Sequence, residues 1–86
     1  MSGKHDTDFQ GDILAAIREA VQGAIAGAKC DVDGGNGHYT IVVTAAAFEG
    51  LNMLKSQRLV YAAIAPLMAG AAPPIHAVDS LVTRVK

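Results

Sequence analysis

Three histidines, one cysteine and one glycine-rich run hold most of the chemistry this chain can offer. His38 opens a β-branched segment directly after Gly34-Gly35-Asn36-Gly37, and His76 follows the rigid lead Pro73-Pro74-Ile75 into another. Neutral imidazole is a metal ligand and a proton carrier near neutral pH. Taken singly, such histidines are more often surface or half-buried structural residues. His5 lies in a polar terminus and carries less weight. Cys30 and His38 fall on facing strands of one hairpin, where a thiolate–imidazole pair is geometrically possible. No oxyanion-hole motif accompanies them, and Cys30 reads equally well as a small buried hydrophobe.

A single cysteine excludes an intrachain disulfide framework and a self-contained four-cysteine metal site. The carboxylates are dispersed and include only two glutamates, so nothing marks a hydrolytic pair. Gly34 to Gly37 fits G-x-x-G, a nucleic-acid backbone clamp that belongs between two helices. Here it joins two strands, so it reads as a hairpin turn. Lys55, Arg58, Arg84 and Lys86 could form a modest basic patch, although a solvated surface explains them as well.

The elements that must position these residues follow from periodicity. Phe9, Ile13, Ile17, Val21 and Ile25 share one side of a helix predicted from about Asp8 to Ala26. Thr7 to Gln10 fits its capping box, and Gly27 is its stop. Cys30 and Val32 alternate with Asp31 and Asp33 in a short strand. Tyr39, Ile41 and Val43 alternate with Thr40, Val42 and Thr44 in a stronger one. Ala45 to Glu49 suits one helical turn ended by Gly50. Asn52 caps a second helix with Leu54, Val60, Tyr61, Ile64, Leu67 and Met68 as its apolar positions, which Pro66 should kink or divide. Ile75 to Val85 reads as a last strand whose alternation slips near Asp79-Ser80, the mark of a bulge. The order α-β-β-α-β predicts an α+β two-layer sandwich, a three-stranded sheet with helices on one face.

With 86 residues, 51% of them hydrophobic, the chain suits one domain over 1–86 with a loose terminus at 1–6. A net charge of −1 gives no electrostatic footprint for nucleic acid. Met1 to Gln10 lacks a signal peptide's apolar stretch. Leu59 to Ala72 is too short and too interrupted to span a membrane. These features predict a soluble, cytoplasmic, non-membrane domain.

Four blocks in order give a resemblance. Gly37-His38-Tyr39, Phe48-Glu49-Gly50, Lys55-Ser56-Gln57-Arg58-Leu59-Val60-Tyr61 and Ile75-His76-Ala77-Val78 resemble the BolA family over about residues 8–80. The resemblance implies a BolA-like, class II KH-like fold. It also implies a non-enzymatic adaptor that binds a monothiol glutaredoxin and shares a [2Fe–2S] cluster with it, in iron–sulfur trafficking or iron and redox sensing. His76 matches the family's principal cluster ligand. A second ligand comes from the region after the first strand, with His38 favoured and Cys30 the other choice. Such a cluster needs four ligands. The chain therefore cannot hold it alone, and a glutaredoxin cysteine and glutathione would complete the shell. Imidazole ligation would make cluster retention pH-sensitive. Alone, the chain would be a monomer or weak homodimer. The alternative is a DNA-binding regulator of transcription or stress response, using Lys55, Arg58, Arg84 and Lys86. The chain departs from the family pattern in a longer stretch between Tyr61 and His76, and in Asp79-Ser80-Leu81.

Overall fold

A computed structural model describes residues 12–85. Helix α1 spans Ile13–Ala24, strand β1 Lys29–Gly35, strand β2 His38–Thr44, helix α2 Met53–Met68 and strand β3 Ala77–Arg84. A single 3-10 turn at Ala46–Phe48 precedes α2. The order is the α-β-β-α-β expected.

Helix α1 starts at Ile13, later than Asp8, because Asp12 is extended and its carboxylate accepts from the Ala15 amide at 3.2 Å. The Thr7–Gln10 box, Phe9, His5 and Lys86 lie outside the described residues. The helix ends at Ala24, two residues before its predicted end, where Ile25 turns extended ahead of Gly27. Helix α2 is capped by Asn52, whose side chain accepts from the Lys55 amide at 2.8 Å. It runs undivided through Pro66. That proline lies in the last turn, so the lost backbone donor affects one bond near a helix end. The buried stripe of α2 is Ser56, Val60 and Ile64. Leu54 and Tyr61, predicted on its apolar face, are exposed.

The sheet order is β1-β2-β3. β1 and β2 form an antiparallel hairpin. β3 lies parallel to β2, which requires the chain to cross over the sheet, and α2 makes that crossing. Period-2 alternation turns Cys30, Tyr39, Ile41 and Val43 toward the helices. They pack with Ile17 and Val21 of α1, Val60 and Ile64 of α2, and Phe48 and Ile75 from the connections. His38, Thr40, Ser80 and Val82 face away from this core and are exposed.

The predicted bulge is present. Val78 pairs with Tyr39 and Ser80 with Thr40, so Asp79 is the extra residue. The bulge absorbs it without changing the alternation of its neighbours, so Leu81 still packs inward beside Ile41. The N-terminal part of α2 is pinned to β3 by two further bonds. Ser56 Oγ donates to the Met53 carbonyl at 3.0 Å and lies 2.7 Å from Thr83 Oγ1, and Gln57 Nε2 donates to the Leu81 carbonyl at 2.9 Å.

Candidate metal centre

The backbone positions of the two histidines are neighbours because a two-residue turn and a parallel strand pair converge. Gly35 pairs with His38, leaving Asn36 and Gly37 as the hairpin loop. Both have positive φ, 54° and 85°, the backbone sign that a type I′ turn demands at both positions. The turn aims the Gly37 carbonyl at the start of β3. That oxygen accepts from the His76 amide at 2.8 Å and the Ala77 amide at 2.9 Å. Register then sets Ala77 opposite His38. With strands about 4.8 Å apart and a rise of about 3.3 Å per residue, the Cα atoms of His38 and His76 lie about 6 Å apart.

Gly37 also makes room for the His76 ring. A Cβ built at Gly37 would fall 2.7 Å from His76 Cγ and 2.8 Å from Nδ1. Nε2 is the ring atom opposite that Cγ–Nδ1 bond. Both histidines are exposed although Gly37 beneath them is buried. Pro74 and Ile75 are buried just before His76, and the Ile75 amide donates to the Leu67 carbonyl at 3.0 Å. The proline lead therefore anchors His76 to the end of α2.

One partner was not anticipated from sequence. His38 Nδ1 lies 3.1 Å from Asp79 Oδ1, with both side chains 57% exposed. Asp79 is the bulge residue. The only sequence signal for it was the slip in alternation at Asp79-Ser80.

Cys30 is placed elsewhere. Its Cα partner is Val43, five residues along β2 from His38, or roughly 16 Å. It points to the helices, is 4% exposed, and burial pushes its thiol pKa up despite a lowering influence from Arg18. The structure thus sets the backbone positions of His38 and His76 side by side and leaves Cys30 apart from both. The thiolate–imidazole pair weighed from sequence is not formed, because the turn sets His38 opposite Gly35. Among the described residues, no three His, Cys, Asp or Glu side chains come together as a metal-holding group.

Among the described residues, the cations Lys55, Arg58 and Arg84 do not share one face. Thr83 bonds to Ser56 on the helix side of the sheet, so Arg84 beside it faces the other way. Lys55 and Arg58 belong to α2, on the helix side. At that same end, far from the histidines, Phe48, Leu51, Met53, Ser56, Thr83 and Val85 line a cavity of about 200 Å³. No helix among the described residues is long and apolar enough to cross a membrane.

Comparison with known proteins agrees with the architecture. Residues 7–84 match the family model described as BolA-like protein. Among solved structures, BolA1 from Arabidopsis thaliana superposes with a TM-score of 0.72 at 20% identity, covering 88% of this chain and 94% of that one. A bolA protein homologue from Coxiella burnetii gives 0.69 at 24%, covering 86% and 92%. The BolA domain of SufE1 from Arabidopsis thaliana gives 0.68 at 23%, covering 90% and 95%. Among curated proteins none matches in sequence.

Proposed function

The chain belongs to the BolA-like family, and from that premise we propose that it is a non-catalytic adaptor for a monothiol glutaredoxin. In this reading the two proteins share a [2Fe–2S] cluster during iron–sulfur trafficking or iron and redox sensing. The observation that carries the reading is that two exposed histidines stand at adjoining backbone positions, at the starts of β2 and β3. His76 rests on Gly37, and His38 stands opposite Ala77. Two histidine nitrogens can replace thiolates on one iron of such a cluster, as they do in Rieske centres. A site with two ligands from this chain leaves two positions, which a glutaredoxin cysteine and the thiolate of glutathione would fill. Nitrogen ligation in place of thiolate raises the reduction potential.

This chain's own work is then binding and orientation. The Gly37 carbonyl fixes the backbone of His76 and Ala77, and the buried Pro74-Ile75 lead sets the approach of the ring. His38 supplies the second nitrogen. Cys30, buried on the other face, has no part in it. The DNA-binding alternative has less support, because Arg84 and the α2 cations lie on opposite sides of the sheet.

The test is a titration of cluster-loaded monothiol glutaredoxin and glutathione with this protein, followed by visible circular dichroism. A new spectrum saturating at one to one is expected. His76→Ala should leave the far-ultraviolet spectrum unchanged and sharply reduce cluster retention. Wild-type retention in that variant, or an unchanged visible spectrum on mixing, refutes the proposal.

A further inference from the structure

We infer that Asp79 is the positioning residue for His38, holding its proton on Nδ1 and leaving the Nε2 lone pair open to a metal. The ligand role of His38 rests on the function proposed above, whereas the tautomer is a property of this chain alone. An ionised carboxylate can only accept hydrogen bonds. At 3.1 Å from Asp79 Oδ1, Nδ1 must therefore be the donor. Which nitrogen of a histidine is available to a metal is set by the hydrogen bond that the other makes. A carboxylate behind a ligating imidazole is a recurrent arrangement at metal sites.

The bulge argues that this contact is more than an accident of the surface. Without residue 79, β3 would alternate regularly: Ala77 outward beside His38, Val78 inward beside Tyr39, Ser80 outward beside Thr40 and Leu81 inward beside Ile41. The core contacts do not need Asp79. The extra residue has no Cα partner of its own, and its carboxylate turns to the imidazole that starts the neighbouring strand. Packing does not account for it either, since both side chains are more than half exposed. Exposed ion pairs contribute little to folding stability. The arrangement is thus suited to orienting a ring.

The tautomer can be read in the metal-free protein by long-range proton–nitrogen correlation of the imidazole rings, at a pH where both rings are neutral. His38 should carry its proton on Nδ1 in the wild type. Asp79→Ala should shift it toward the Nε2–H form, with His76 as the internal reference. Asp79→Asn keeps an accepting oxygen and should retain the wild-type form. In the mixed complex, D79A should lower cluster retention about tenfold, the lower end of the effect of removing such a partner. D79N should lie between it and wild type.

An Nε2–H tautomer of His38 in the wild type, or no shift in D79A, overturns the assignment. A tautomer shift in D79A with wild-type cluster retention overturns the link to metal binding. Wild-type retention in H76A overturns the proposed function instead, and the tautomer of His38 is still decided by the nitrogen spectra.

Discussion

Replacing Gly37 by alanine tests whether the turn and His76 form one packed unit. The new Cβ would lie 2.7 Å from His76 Cγ and 2.8 Å from Nδ1. Favourable carbon contacts begin near 3.5 Å, so the ring must move. Moving the exposed His76 ring about 30° off its rotamer well costs about 0.5–1.5 kcal/mol. The φ of 85° adds about 1–2 kcal/mol for any L side chain. Gly50 separates the two effects, because its φ is 81° and nothing lies within 4 Å of its built Cβ. Gly50→Ala should therefore cost about 1–2 kcal/mol and Gly37→Ala about 1.5–3.5 kcal/mol. In a domain this small each kcal/mol moves Tm by about 4–8 °C. Urea unfolding at low temperature gives the stabilities, and the His76 ring resonances report its displacement. In the G37A background, His76→Ala should recover about 1 kcal/mol as coupling between the two sites. Equal stability of G37A and G50A, with unmoved His76 resonances, refutes the reasoning.

Three more perturbations probe the frame around the site. Cys30 should resist alkylation in the native protein and react fully in denaturant. Burial raises its folded pKa, so the unfolded thiol ionises first. Its contribution to stability is whole below the ordinary thiol range and is lost as pH rises through the folded value. Unfolding curves of wild type and C30A against pH should show that loss only in the wild type. Ser56→Ala should cost about 1–2 kcal/mol, since Ser56 is 3% exposed and Thr83 loses its acceptor. Adding Thr83→Val should restore part of that, as a double-mutant cycle in urea would measure. Asn52→Ala removes the α2 cap and should cost about 1 kcal/mol by the same assay.

Local chemistry was the legible part. Asn36-Gly37 between alternating strands specifies its turn, and Asn52 specifies its cap, because each acts on its own backbone. The slip at Asp79 foretold the bulge for the same reason. The remoteness of Cys30 was also within reach: a two-residue turn pairs Gly35 with His38, and counting back sets Cys30 opposite Val43. The start of α1 was less determined, since Thr7 and Asp12 are both competent caps and spacing alone does not choose between them. The buried phase of α2 differs from its apolar spacing for a tertiary reason. Ser56 takes a buried position because Thr83, far along the chain, satisfies its hydroxyl. The His38–Asp79 contact likewise depends on the register of a parallel pair, which no local pattern encodes.

The parallel pairing has a consequence for the chain as a polymer. β1 and β2 are joined by two residues, but the connection from His38 to His76 passes through the whole of α2. A ligand held by both imidazoles would tie residue 38 to residue 76, much as a disulfide ties two cysteines. Closing a loop of that length withdraws up to about 4 kcal/mol of entropy from the unfolded ensemble in the chain-entropy model. That is comparable to the whole net stability of about 3–5 kcal/mol expected of so small a core. The cross-link would also clasp β3, an edge strand with one hydrogen-bonded neighbour, to the hairpin. Loading the site would thus convert a marginal fold into a stapled one, and release would return the last strand to its own weak hold.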